Sequence, residues 1–185
     1  MILSVTERGR FVATMRYVHV QLMETLAAWV PTTPEMEVKL LFGEHLWDVA
    51  QHADALGKRT FELRLPLQHS VRPSDAYVEF LAEVAAMGPT TQRLAAVYDV
   101  ILPAIAGRYQ RYLERTDALL DAPTVRILER YLTDTARMIA ASHTLRQELP
   151  ELALPDQAWA AALRAREAAV DDLVAAAAGL VAVEV

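Results

Sequence analysis

Cysteine is absent from this chain of 185 residues, and glycine occurs only six times. Without cysteine there are no disulfide bonds, no thiolate metal ligands and no thiol nucleophiles, and a reducing cytoplasm is the natural compartment. Because glycines are so few, the nine prolines provide most of the breaks along the chain, and they fall mainly where helices would begin or end. We therefore expect a cytoplasmic protein built from long helices.

Several other signals are missing as well. The net charge is -6 and no stretch is rich in lysine and arginine, so we expect no nucleic-acid partner. The N-terminal stretch carries charges where a secretion signal needs an apolar core, and the apolar stretch 174–183 is too short for a membrane span. We therefore expect no membrane association. The motifs of P-loop, dinucleotide-binding, G-x-S-x-G and H-E-x-x-H proteins are also absent.

What is present predicts an all-α fold. Apolar residues recur at spacings of three and four, and hydrophobic residues make up 54% of the chain, enough for one compact core. Four long helices are joined in pairs by short turns at 30–33 and 117–121, with one long crossover at 58–73, whose charged residues we interpret as solvated. This bundle domain covers 1–150, and 151–185 adds a C-terminal helix that packs on it or on another subunit. The predicted helices span 6–29, 34–56, 74–87, 90–116, 121–148 and 156–179.

Local signals fix the details of these helices. Helix two is predicted to begin after Thr33 as its N-cap and to end before Gly57, and Pro103 should kink helix three near its middle. On helix four, the apolar pattern predicts one inward face. Its members are Val125, Leu128, Leu132, Ala136 and Ile139.

The most informative polar residues are on helix two. At about 100° per residue, His45, Asp48 and His52 fall on the same side as the apolar stripe. Burying such groups without a partner costs about 1–3 kcal/mol, so they should contact each other, a water molecule or a metal ion. We therefore take the three as candidate catalytic residues and metal ligands. A purely structural hydrogen-bond network that sets the docking of the helices is the alternative.

Other helices offer further candidates for this site. His19 lies at the edge of the helix-one stripe, and the turn geometry predicts that it faces His45. On helix four, His143 falls on the inward face near the end of the bundle, and Glu129 falls about 60° from the centre of that face. Tyr98 and Tyr109 on helix three are typical core aromatics and are candidates, with His143, for lining a substrate pocket.

Three stretches of the chain resemble the ferritin-like superfamily, and more narrowly small bacterial ferritin-like proteins. They are 17–29, PEMEVKLLFGEHLWDVAQHADAL and ILPAIAGRYQRYLERTDALLDAPTVRILERYL, and the similarity covers about residues 10–145. It implies a ferritin-like four-helix bundle with a short extra helix in the crossover and an added C-terminal helix. Many members hold two irons between the helices for oxygen activation or iron oxidation.

The chain departs from the ligand pattern of that family. The family uses Glu on one helix and Glu-x-x-His on the next, in two copies, and no Glu-x-x-His occurs here. On helix four, Asp134 and Arg137 stand where the motif is expected, and both are predicted to point away from the apolar stripe. A reduced site of His45, Asp48 and His52, joined by His19 or Glu129, is the remaining option. Iron is the first choice of ion, with manganese or zinc as alternatives.

Three functions are compatible with these residues. The first is a metal-dependent oxidoreductase or oxygenase-type enzyme that acts on a small apolar molecule. The second is a metal-free enzyme or small-molecule binding protein that uses the same histidines as acid-base or hydrogen-bonding groups. The third is a structural subunit, because Leu40 and Trp47 form a second apolar strip on helix two, which would be covered by the crossover, the last helix or another copy in a homo-oligomer.

Overall fold

A computed structural model describes residues 3–153 and 156–169, and within these ranges the chain is all-α with no strand. The predicted fold class is thus confirmed at the level of helix content. None of the described helices has the length and apolar composition needed to cross a membrane. The elements are α1 (Val5–Thr32), α2 (Met36–Glu62), α3 (Asp75–Ala85), α4 (Thr90–Leu94), a π-helical segment (Ala95–Ile101), α5 (Leu102–Arg115), α6 (Ala122–Glu148), a 3₁₀ turn (Pro150–Leu152) and α7 (Gln157–Ala168).

The turn between α1 and α2 lies later in the chain than predicted. Pro31 is inside the last turn of α1, and Thr33 is the C-cap of α1 rather than the N-cap of α2. The Thr33 hydroxyl donates to the carbonyl oxygen of Trp29 at 2.8 Å, so it satisfies one of the carbonyls left free at the helix end. Helix α2 then begins at Met36, with Glu35 as its N-cap.

Helix α2 also ends later than predicted, because Gly57 is part of the helix. A Cβ atom at this position would lie 1.9 Å from Oε1 of Gln68. The glycine therefore allows the crossover to pack directly against the helix, and the backbone N–H of Gln68 donates to the carbonyl oxygen of Gly57 at 3.0 Å. Glycine here serves a close approach of two segments rather than a helix end.

The third long helix is interrupted where Pro103 was expected to disturb it. Proline has no N–H to offer the carbonyl four residues earlier, and the seven-residue π-helical segment Ala95–Ile101 ends two residues before Pro103. A π-helical turn uses i→i+5 hydrogen bonds and so accommodates a local mismatch in the helix. The structure thus has a wider turn just before Pro103, and the kink itself stays a prediction.

The inward face of α6 differs from the predicted face by a rotation about the helix axis. Leu128 is buried as predicted, whereas Ala136 is exposed. Three small residues with hydroxyl groups, Thr124, Thr135 and Ser142, point into the core. The buried face is therefore displaced by one residue from the face that the apolar pattern predicted. The buried residues are Thr124, Leu128, Tyr131, Thr135, Met138 and Ser142.

Packing joins α1 to α2, α2 to α6, and α6 to α5, while α7 packs on the π-helical segment. Helix α7 begins after Asp156 as predicted, and Asp156 caps it by accepting from the N–H groups of Ala158 and Trp159. The predicted continuation of this helix to 179 lies outside the described residues. The second apolar strip of α2 is exposed: Leu40 and Trp47 each retain 67% of their accessible surface.

One charged residue of the supposed solvated run is in fact buried. Nη2 of Arg59 donates to Oδ1 of Asp121 at 2.8 Å, and Nε donates to the hydroxyl of Thr124 at 2.8 Å. Asp121 has no exposed surface and also accepts from Tyr112 at 2.6 Å. Burial alone would raise the pKa of Asp121, but hydrogen bonds from Thr124, Tyr112, Thr116 and Arg59 keep it below its usual value. This network connects α2, α5 and the start of α6.

Replacing Asp121 with alanine should destabilise the protein by about 3–5 kcal/mol, because the buried guanidinium of Arg59 would lose its buried counter-charge and keep only the half-exposed Glu62. Chemical denaturation followed by circular dichroism measures this change. Glu62→Ala is the matched control, since Glu62 also pairs with Arg59, at 2.7 Å, but is more than half exposed, and it should cost less than about 1 kcal/mol. Equal losses in the two variants would contradict the role assigned to the buried pair.

Candidate functional site

The three predicted site residues on the polar face of α2 differ in how deeply they are buried. His45 and His52 are buried, while the side chain of Asp48 retains 20% of its surface. Because helix periodicity placed all three on one face, burial of the two histidines follows the sequence prediction. Each of the two histidines forms the centre of a separate group of side chains.

His45 forms the first group with a tyrosine of the π-helical segment. Its Nδ1 atom lies 2.7 Å from the hydroxyl of Tyr98, and its Nε2 atom is buried without a hydrogen-bond partner in the described part of the chain. Burial lowers the pKa of His45 to about 4, although Glu44 and Asp48 act in the opposite direction. The ring is therefore neutral at pH 7. With the proton on Nδ1, its Nε2 lone pair is free to bind an ion.

Two carboxylates accompany His45 on the solvent side. One ligand atom from each of Glu44, His45 and Asp48 can be chosen so that all three lie within 4.8 Å of one another; we call these residues the α2 triad. The guanidinium of Arg137 on α6 bridges the two carboxylates, with 3.1 Å to Oε1 of Glu44 and 2.5 Å to Oδ2 of Asp48. Neither Glu44 nor Arg137 was predicted to belong to the site.

His52 forms the second group with His19, and we call these two residues the inner histidine pair. Their ring centroids are 5.4 Å apart. The prediction that His19 faces His45 is wrong, because the turn after α1 is centred near residue 34 rather than 32. Because of this shift, the α2 residue that lies at the same height as His19 is about four positions further along the chain than predicted. Nε2 of His19 lies 2.5 Å from the hydroxyl of Tyr109.

The inner histidine pair is held in an aromatic and largely dry environment. The ring of Tyr131 lies 3.9 Å from the ring of His52, centroid to centroid, and the Tyr131 hydroxyl donates to the carbonyl oxygen of His52 at 2.5 Å. Burial lowers the pKa of both histidines; the neighbouring His52 adds to the effect for His19, and Asp134 opposes it for His52. Both rings are therefore neutral at pH 7.

The rotation of α6 explains which of its residues reach the site. Asp134, predicted to point away, lies with its Oδ2 atom 3.1 Å from Nε2 of His52. Glu129, predicted as a ligand, is exposed. His143, predicted to point inward, is 54% exposed and lies 3.2 Å from Asp99 at the surface. The inward orientation of Glu129 and His143 was wrong, and we leave both out of the candidate site.

Tyr98 and Tyr109 are fully buried, as expected of core aromatics. Burial raises the pKa of both phenols well above its usual value, so both remain protonated. Each hydroxyl is committed to one histidine, Tyr98 to His45 and Tyr109 to His19. Their role as lining of a substrate pocket stays a prediction.

Comparisons with protein-family models, curated proteins and solved structures found no match to this chain. The resemblance to ferritin-like proteins therefore stays a prediction from the sequence. The function is inferred from the α2 triad and the inner histidine pair.

The inner histidine pair should make the protein sensitive to acid. His19 has a lower pKa in the folded chain than in the unfolded chain, so as the pH falls below about 6.5 the unfolded state takes up protons first and stability is lost. The groups that face the ring are His52, Tyr109 and Tyr131. We expect His19→Gln to reduce the loss of unfolding free energy between pH 7 and pH 5, by up to about 1.4 kcal/mol per pH unit.

Urea denaturation at a series of pH values measures this effect. His143→Gln is the control, because it removes a histidine whose side chain is 54% exposed and should change the loss of unfolding free energy between pH 7 and pH 5 less than His19→Gln does. Parallel curves for wild type and His19→Gln would contradict the assignment.

Proposed function

We propose that this chain is a ferritin-like, metal-dependent oxidoreductase or oxygenase-type enzyme that holds its ion at the α2 triad. The observation that carries the proposal is the buried ring of His45. Its Nε2 atom is unpartnered in the described part of the chain, and Glu44 and Asp48 each offer a carboxylate oxygen within 4.8 Å of a ring nitrogen of His45. An unpartnered buried imidazole next to two carboxylates costs stability, and a bound cation would remove that cost.

The donor atoms of the triad suit a first-row divalent ion. Imidazole and carboxylate ligands bind such ions at about 2.0–2.2 Å, so two ligands of one ion lie at most about 4.4 Å apart. The 4.8 Å limit that encloses the triad requires only a small side-chain rotation. One nitrogen and two carboxylates favour iron or manganese, with zinc as an alternative.

Tyr98 supports this role from behind the histidine. Ligating histidines commonly use their second ring nitrogen in a hydrogen bond that fixes the tautomer and the orientation of the ring. The contact between Nδ1 of His45 and the Tyr98 hydroxyl meets this requirement. The ring of Phe42 is stacked at 6.4 Å from that of Tyr98 and helps to keep water from this side of the imidazole.

Arg137 neutralises the two carboxylates when no ion is bound. Its side chain is 46% exposed, so it can rotate into solvent and release Glu44 and Asp48. An iron ion at the triad would supply one-electron chemistry with dioxygen for a small substrate. The chain itself would contribute the ligands, the fixed orientation of His45 and, in Arg137, a cation able to release the two carboxylates to the ion.

Metal titration tests the ligand assignment directly. Anaerobic Fe(II), and Mn(II) as a redox-stable substitute, should bind with one ion per chain to protein purified without a chelating tag. Asp48→Asn and His45→Gln should weaken binding by at least about 10- to 100-fold, since loss of an outer-shell partner alone has that effect and these variants remove a ligand charge and a ligating imidazole.

Asp134→Asn is the matched control, because it alters a carboxylate that contacts His52 instead of the triad; it should bind metal like the wild type. Because Asp48 lies at the surface, Asp48→Asn remains informative if the His45 variant fails to fold. No binding at all, or equal binding by all variants, would contradict the proposal.

Arg137→Gln should strengthen metal binding about fivefold, since the ion no longer displaces a partly exposed ion pair worth about 1 kcal/mol. Arg130→Gln makes the same charge change on the same helix, and Arg130 lies 3.6 Å from Asp134 rather than at the triad. Calorimetric titration of both variants separates the local effect from net charge. If both gain equally, Arg137 does not compete with the ion.

A metal-free function is the second candidate, and the contact of His52 with Asp134 favours it. A carboxylate that orients a neutral histidine is a common arrangement in acid-base catalysis. Ligand binding or activity that survives chelation, and that is lost in His52→Gln but kept in Asp48→Asn, would favour this candidate. If the substitutions change only the melting temperature, the histidines are structural.

A further inference from the structure

A groove of about 400 Å³ lies between α2 and α6 beside the α2 triad. Its apolar surface includes Leu40 of the exposed strip on α2 and Ala141 and Leu145 on α6. This volume is at the lower end of the range of small-molecule sites, about 300–1,000 Å³. The groove can therefore hold a short apolar chain or a single ring.

The ionisable residues that line the groove are all negatively charged. Every ionisable residue that lines it is a glutamate: Glu37, Glu44 and Glu148. Glu44 is paired with Arg137, whereas Glu37 and Glu148 have no ion-pair partner within residues 3–153 and 156–169. One carboxylate comes from the first turn of α2 and another from the last turn of α6. An apolar surface with carboxylates at its edge is complementary to an apolar molecule that carries a positive charge.

The groove also adjoins the proposed metal site. Glu44 belongs both to the lining of the groove and to the α2 triad. A molecule bound along Leu40 and Leu145 would therefore have one end next to the triad.

We propose that this groove binds the substrate and that the substrate is an amphiphilic amine, with a protonated amino group near Glu37 or Glu148 and an apolar body along α2 and α6. This inference rests on the proposed function, because it identifies the groove as the substrate site of the metal centre. The carboxylates select the cation, and the apolar residues select the body. A carboxylic acid of the same length is rejected by the glutamates.

Three probes of equal chain length test the charge preference: hexylamine, 1-hexanol and hexanoate. Binding is measured by calorimetry on the full chain with and without Mn(II), and amide chemical shifts locate the bound probe in the absence of Mn(II), because the paramagnetic ion broadens nearby signals. We expect hexylamine to bind up to about fivefold more tightly than hexanol, and hexanoate to bind most weakly. Amide shifts should be confined to the residues that line the groove.

Two groove variants locate the binding site. The double variant Glu37→Gln/Glu148→Gln should remove the preference for hexylamine over hexanol while leaving hexanol binding unchanged. Ala141→Leu should weaken both ligands by filling the groove. Glu129→Gln is the control, since Glu129 is an exposed carboxylate of α6 outside the groove, and it should bind all three probes like the wild type.

The two proposals can fail separately. Amine binding that follows this pattern in a protein that binds no metal would keep the groove and overturn the metal-dependent function. Metal binding at the triad, with equal affinity for the three probes or with no effect of the double variant, would overturn the amine proposal. Shifts located away from α2 and α6 would overturn it as well.

Discussion

Three long polar side chains of α2 enter the core, and the packing of the other helices depends on satisfying them. An unpaired buried polar group costs about 1–3 kcal/mol, so any sliding or rotation of a neighbouring helix that broke one contact would be penalised. The partners come from different parts of the chain, which fixes the third long helix and α6 against α2. The pairs are His45 with Tyr98, His52 with Asp134, and Arg59 with Asp121.

The helices and the polar face of α2 could be predicted because apolar spacing is a strong signal where one face is buried. The same signal failed on α6. Thr124, Thr135 and Ser142 are buried there, although hydropathy treats such small hydroxyl residues as neutral. The Thr124 hydroxyl donates to Asp121 at 2.6 Å, whereas the Ser142 hydroxyl has no hydrogen-bond partner in the described part of the chain. A one-residue error in the predicted buried face was enough to predict an inward His143 and an outward Asp134, the reverse of what the structure has.

Two residues near His45 were not predicted from the sequence, Glu44 and Arg137, and they were missed for different reasons. Glu44 is local to α2: it precedes His45 directly and lies four residues before Asp48, so a search for carboxylates around the histidine would have found it. Arg137 could not be found in this way, because its contact with Glu44 and Asp48 depends on how α6 is turned. Ligand atoms close in sequence were predictable, whereas contacts across helices required the packing.

The π-helical segment has a consequence for the evolution of this chain. Because its hydrogen bonds span five residues, the segment uses more residues per turn than the α-helix on either side. The wider turn therefore absorbs about one residue more than an α-helix does over the same rotation, and deleting one residue within it would favour an ordinary α-helix while residues downstream kept nearly the same orientation. Deleting a residue from α5 before Tyr109 would instead turn everything downstream by about 100°, so the contacts to His45 and His19 could not form together. The length of the π-helical segment can therefore change by one residue, whereas the length of α5 up to Tyr109 is constrained.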